Sequence, residues 1–247
     1  MIETNNCLRE TILRRGVRSV LIVGAIALTV IITSMVLGAE SDSGLKKALL
    51  KNEPWTGDFD KMTEKRQIRV LVTYSKTFYF LDRGQQRGLT YDLLEEFEKY
   101  VNKKIKAKTL KINVVYIPVR RDELIPGLLK GRGDIAVANL TITSQRQKKA
   151  DCSNPLMTGV RELLVTGPAA PAVTSVDDLA GKEIHVRKSS SYYESLVELN
   201  ATLKKNGKKP VKLIPADDSL EDEDLLEMVN AGLIPMIVMD SHKAQFW

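Results

Sequence analysis

Residues 131–155 read Gly-Arg-Gly-Asp-Ile-Ala-Val-Ala-Asn-Leu-Thr-Ile-Thr-Ser-Gln-Arg-Gln-Lys-Lys-Ala-Asp-Cys-Ser-Asn-Pro. A glycine closes a helix, and Asp134 opens the apolar run Ile135 to Ala138, as expected for a buried strand of a parallel sheet. Asn139, Thr141 and Thr143 follow at the C-terminal end of that run, with Arg146 a few residues on. In open α/β sheets the crevice beyond the C-terminal strand ends is where ligands bind. A guanidinium placed there matches a carboxylate bidentately. The stretch therefore predicts an α/β fold whose sheet delivers hydroxyls, an amide and one arginine to a binding crevice.

Working outward, the chain alternates strands and helices. Ile68 to Val72 is a short apolar strand, followed by the aromatic loop Thr73 to Phe80 and a turn bracketed by Gly84 and Gly88. Leu93, Leu94, Phe97 and Val101 recur at helical spacing, with Asp92 near the N-terminus of that helix, where a carboxylate favours the dipole. Ile112 to Pro118 alternates as a strand with Arg120 and Arg121 at its mouth, and Leu124 to Gly131 is a glycine-capped helix. Arg161 to Thr166 is the next strand. Glu183 to Val186 then runs through Arg187-Lys188-Ser189-Ser190-Ser191 into a helix over Tyr192 to Lys204. Serines at a helix start present hydroxyls and free N–H groups, which suits both an anion site and ordinary capping by Ser190 or Ser191. The acidic run Asp217 to Glu227 lacks the spacing of a calcium loop. Ser219 followed by Asp222 reads instead as a capping box. Ile234 to Met239 is the last strand, and it delivers Asp240.

The N-terminal part has a different character. No charged residue occurs from Ser19 to Ala39, while Arg9, Arg14, Arg15 and Arg18 precede that run and Glu40 and Asp42 follow. Roughly twenty apolar residues span a bilayer, and the flanking charges place the N-terminus in the cytoplasm and the bulk of the chain outside. Residues 1–18 are thus expected as a cytoplasmic N-terminus, 19–39 as a transmembrane anchor or a cleaved signal, and 40–66 as a juxtamembrane linker. The formal charge of +6 suits an anionic membrane or cell-wall neighbourhood. The basic run around Lys103 to Lys111 has neither the interleaved aromatics nor a motif for nucleic acid, which is not expected as a partner. Two cysteines, Cys7 and Cys152, flank the apolar run, so no disulfide, metal site or cofactor is expected.

Gly-x-x-Asp, Asn-Leu-Thr-Ile-Thr-x-x-Arg and Ser-x-Pro together resemble the signature of family 3 extracellular solute-binding proteins, joined by Gly-Leu-Thr-Tyr-Asp-Leu and Asp-Leu-Ala-Gly-Lys. The resemblance implies a two-lobed type 2 periplasmic-binding fold, with lobe 1 at 67–166 and lobe 2 at 167–247, ending before a return to lobe 1. It implies a small-molecule ligand, an amino acid or a muropeptide-like cell-wall peptide. Arg146 would clamp its carboxylate with Thr141 and Ser190 or Ser191, Asp240 would pair with its ammonium, and Asn139 would bond nearby. Tyr74, Tyr79 and Arg121 would surround its side chain. Arg121 stands where the family often has an apolar or aromatic group, which points to an acidic ligand.

Within the family, the anchor, Trp55-Thr56-Gly57-Asp58, Lys76 to Phe80 and Met239-Asp240-Ser241-His242-Lys243 resemble the binding part of membrane-bound lytic transglycosylases. Those proteins carry a separate peptidoglycan-cleaving domain, so no catalytic residue is expected here and peptidoglycan is a second candidate partner. The expected function is a binding or sensing domain on the periplasmic side of a bacterial inner membrane. A solute-binding component of an amino-acid importer, or a fragment of an intact lyase, are the alternatives.

Overall fold

The computed structural model describes residues 54–107, 110–168 and 170–247. The expected cytoplasmic terminus, the span 19–39 and Cys7 lie outside them. Among the described residues, no helix is long and apolar enough to cross a membrane.

The first lobe begins with helix α1 (Phe59–Lys65) and strand β1 (Gln67–Val72), followed by a small antiparallel hairpin of β2 (Phe80–Asp82) and β3 (Gln85–Arg87). Helix α2 (Leu89–Lys104) leads to β4 (Asn113–Pro118), a short 3-10 turn at Arg121–Glu123, α3 (Leu124–Leu129) and the two-residue strand β5 (Ile135–Ala136). The parallel sheet order is β4-β1-β5, with β1 central. Ile68, Val70 and Val72 pack with Leu94 and Val101 of α2, while Leu71 packs with Leu124 and Ala138 on the other face. The apolar run expected as a strand to Ala138 pairs in its ladder only at Ile135 and Ala136, and the chain turns at Asn139, whose φ is a left-handed 47°.

The second lobe follows α4 (Ser144–Gln147) and comprises β6 (Glu162–Thr166), β7 (Glu183–Val186), α5 (Ser191–Lys205), β8 (Lys212–Pro215), α6 (Asp222–Asn230), β9 (Met236–Asp240) and α7 (Ser241–Phe246). Its sheet order is β6-β9-β7-β8. Without β6, this repeats the arrangement of the first lobe. β6 was expected to close lobe 1, but it pairs antiparallel with β9 from Glu162↔Asp240 to Thr166↔Met236. Its place in a ladder, rather than the composition of the loop after it, sets the lobe boundary. The capping box also shifts: it is Glu221 and Asp224, not Ser219 and Asp222, that close the N-terminus of α6.

A side-chain clip recurs in both lobes. Asn102 on α2 donates to the Ile112 carbonyl and accepts from the Ile112 N–H, both at 2.8 Å. Asn200 on α5 does the same for Val211, at 3.0 and 2.6 Å. Each amide imitates a strand neighbour and fixes the chain entering the next strand, satisfying backbone groups that burial would otherwise leave unpaired.

Arg69 is a charged residue in the middle of an apolar strand, and it is fully buried. Its guanidinium meets Asp134 through Nη2 at 2.7 Å and Nε at 3.2 Å, while its backbone N–H donates to the same carboxylate at 2.7 Å. The remaining donors reach the carbonyls of Gly131 and Trp55, and the Trp55 ring lies 4.2 Å from the guanidinium carbon. Trp55, expected in a linker, is therefore part of the folded lobe. Gly131 has a φ of 68°, and a Cβ there would approach the Trp55 carbonyl oxygen to 2.7 Å. The Gly-x-x-Asp motif thus ties the helix end, strand and incoming chain to one buried cation.

Removing one partner of a buried ion pair leaves an uncompensated charge and destabilises by about 3–5 kcal/mol. Asp134→Ala is expected to lose stability in that range in urea unfolding. Replacing Arg69 and Asp134 together by methionine and leucine should destabilise less than either single change, and an equal loss would show that the pair does not act as a unit.

Candidate functional site

The two lobes meet where the C-terminal ends of β1 and β4 face the loop before α6. Arg121, just beyond β4, projects from lobe 1 onto Glu221, the residue that caps α6. Its Nε lies 2.9 and 3.1 Å from the two Glu221 carboxylate oxygens, and its Nη1 donates to the Ala138 carbonyl at 3.2 Å. Arg121 is 8% exposed and Glu221 3%, so neither charge is left to solvent. Burial opposes the charge on Arg121, but Glu221 outweighs it and raises the guanidinium above its usual value.

From Glu221 the charges continue into lobe 2. Arg187 lies 3.7 Å from Glu221 and also pairs with Asp222. Lys243 of α7 contacts Asp222 at 2.5 Å and Asp240 at 3.6 Å. Tyr192 donates to Asp222 at 3.1 Å and accepts the Asp240 N–H at 3.1 Å. Burial by itself would raise the Asp222 carboxyl, yet Arg187, Lys243 and Arg121 together hold it well below the usual carboxylate range. Burial and the two neighbouring carboxylates push the Tyr192 phenol up, so it stays a neutral donor.

Further contacts join the same end of α6 to the aromatic loop. Ser75 donates to Glu223 at 2.5 Å, and Lys76 reaches Glu227 at 2.7 Å and Asp224 at 3.0 Å. The Trp247 indole donates to Thr77 at 3.1 Å. The acidic run is more than a dipole-matched helix start: its side chains bind lobe 1.

Three residues expected to hold a carboxylate, Arg146, Thr141 and Ser191, come together across the lobes. Arg146 donates to the Thr141 carbonyl at 2.8 Å and, from the opposite lobe, to the Ser189 carbonyl at 2.9 Å. It has no carboxylate partner within 4.0 Å among the described residues. Burial, and the neighbouring Arg121 charge more weakly, hold its guanidinium below the usual value against the opposing pull of Glu194. Ser191 donates to the Thr141 hydroxyl at 3.1 Å, so these two meet across the cleft. Ser190 instead caps α5, accepting from the Tyr193 N–H at 3.2 Å while donating to the Arg187 carbonyl at 2.8 Å. Asn139 lies 3.2 Å from His242, again across the lobes.

Three expectations change. Tyr79 is 3% exposed, stacks on Tyr116 and donates to Gln86, so it belongs to the lobe 1 core and not to the cleft wall. Asp240 already faces the ammonium of Lys243. Arg121 is neutralised by Glu221, which removes the ground for expecting an acidic ligand. Tyr74, by contrast, is 54% exposed and lines a cleft of about 330 Å³ with Thr73, Arg120, Arg121, Asp218 and Glu221. No group of His, Cys, Asp or Glu placed to hold a metal occurs among the described residues. Glu221, Arg187, Tyr192 and Lys243 were missed. The available signals were an arginine ending a buried strand and an acidic run denser than one helix start needs.

These features coincide with a family: residues 68–238 match the bacterial extracellular solute-binding proteins, family 3, and the chain belongs to that family. It is also 30% identical over 186 residues to the membrane-bound lytic murein transglycosylase F of Pseudomonas putida, covering 74% of this chain and 35% of that protein. The enzyme of the same name from Pseudomonas fluorescens is 28% identical over a similar stretch. The chain thus spans about a third of the length of these relatives, 35%. Among solved structures, an ancestral arginine-binding protein bound to arginine superposes with a TM-score of 0.56 at 25% identity, covering 72% of each chain.

The charge network carries a pH prediction. A carboxyl held low in the folded state contributes stability that is present above its unfolded value of 3.8 and is lost as pH falls below it. Urea midpoints are expected to drop steeply below about pH 4, the unperturbed carboxylate range. The Asp222→Asn variant, weaker at neutral pH, should show a shallower drop; an identical acid profile would remove Asp222 from the account.

Proposed function

We propose that this chain is an extracytoplasmic binding or sensing module for an amino acid or a cell-wall peptide, anchored to the inner membrane by residues 19–39. The observation that carries the reading is Arg146: a half-buried guanidinium that bridges the lobes, held by two carbonyls and lacking an anionic partner among the described residues. An arriving carboxylate would relieve that burial by charge-assisted hydrogen bonds. Thr141 and Ser191 stand beside it, and the N-terminus of α5 adds a favourable dipole. Asn139 would bond at the rim next to His242. Entry requires the Thr141–Ser191 and Arg146–Ser189 contacts to part, so binding is coupled to lobe opening.

The membrane-bound murein-cleaving relatives support a place at the cell wall and a regulatory use of binding. In this reading the chain itself binds and does not cleave. Charge-assisted hydrogen bonds contribute about 1.5–3 kcal/mol each. Arg146→Ala is therefore expected to weaken binding of amino acids or muropeptides at least about tenfold, roughly 1.4 kcal/mol, by titration calorimetry on the full chain. Full affinity in that variant would overturn the assignment.

A further inference from the structure

Building on the solute-binding reading, we propose that Glu221 sets the charge preference of the cleft, making it a site for a ligand that bears a second cationic group, an amine or a guanidinium. Arg121 alone would make this wall attract anions. Glu221 takes both carboxylate oxygens to it, with both side chains almost fully buried. The other arginine of the wall, Arg120, is held by Asp122 at 2.9 and 3.0 Å. The cations lining the cleft are thus already compensated.

Of the three lining carboxylates, Glu221 is taken up by Arg121, while the other two are weakly compensated or not at all. Asp218 accepts from the Ser189 hydroxyl and has no cationic partner within 4.0 Å among the described residues. Glu123 has only a 3.5 Å contact to Arg132, at an exposed position. Counting the charged lining residues, two arginines face three carboxylates, a surplus of one negative charge.

A separate observation points to a ligand. Thr73 lines the same cleft, is 3% exposed, and its hydroxyl has no hydrogen-bond partner among the described residues. A buried polar group without a partner is unfavourable, and native structures seldom keep one without a use. A ligand donor entering the cleft would satisfy it. Tyr74, exposed at the rim, offers a ring face on which a cation is attracted by the π-system. The volume, about 330 Å³, is at the small end of ligand pockets and suits a side chain rather than a polymer.

Titration calorimetry of the full chain with L-lysine, L-glutamine and L-glutamate tests the proposal. Lysine is expected to bind at least about tenfold more tightly than glutamate, a difference of roughly 1.4 kcal/mol. Glu221→Gln should unmask Arg121 and reverse that order. Asp218→Asn alters a half-exposed loop residue outside the core, and should lower lysine affinity severalfold more than glutamine affinity. Equal affinity for all three ligands, or an order untouched by Glu221→Gln, overturns the proposal and leaves the solute-binding reading standing. If Glu221→Gln does not fold, unchanged lysine affinity in Asp218→Asn overturns it instead. No binding of any of the three removes the amino-acid reading and the proposal with it.

Discussion

A buried line of alternating charges, Arg121–Glu221–Arg187–Asp222–Lys243–Asp240, runs from the floor of one lobe into the core edge of the other. Three cations and three anions cancel along it. Such a line is weak as a source of stability, because desolvation offsets most of the Coulomb gain. It is strong as a constraint: breaking any link strands a charge in a dry environment. The Arg121–Glu221 link therefore favours the relative position of the lobes in which every member is paired. The contacts of Ser75 and Lys76 with α6, and of Thr141 with Ser191, occur at that position.

The groups near this line differ in chemistry. Arg146, with no carboxylate partner within 4.0 Å among the described residues, sits with the Thr141 and Ser191 hydroxyls and the N-terminus of α5. The small cleft at Tyr74, Thr73 and Asp218 is lined by one more carboxylate than cations. Arg121 and Glu221 both line that cleft. Specificity in such a site is a difference between affinities, and a built-in carboxylate on Arg121 acts against acidic side chains as well as for basic ones. Each lobe supports its half of this arrangement by local means: Arg69 with Asp134 in the first, and the Asn200 clip that leads into β8 in the second.

Much of the fold was legible in the chain, because it is written in local signals. Strand β7 and helix α5 follow directly from an apolar run and a serine-rich helix start. Strand β1 was equally plain, although the arginine inside it concealed the buried pair with Asp134, which depends on a residue 65 positions away. The placement of β6 failed for a related reason: a strand's own residues do not say which sheet it will join. In the site, Arg146, Thr141 and Ser191 came from one motif and one helix start, and they do meet. Tyr79 was misplaced because an aromatic in a loop looks the same whether it faces the cleft or Tyr116. Glu221 was invisible as a site residue, since at the head of an acidic helix its local role is sufficient to explain it. Its second role needs Arg121, 100 residues earlier.

The central claim is that the chain's own charges hold the two lobes together before any ligand arrives. Interlobe distance measurement tests it most directly, with spin labels at Leu129 on lobe 1 and Val197 on lobe 2, both exposed, in a full chain whose cysteines have been replaced. The account predicts one narrow distance distribution without ligand, which broadens toward longer distances when Arg121→Gln breaks the line. A broad, long distribution in the ligand-free chain, indifferent to Arg121, would contradict it.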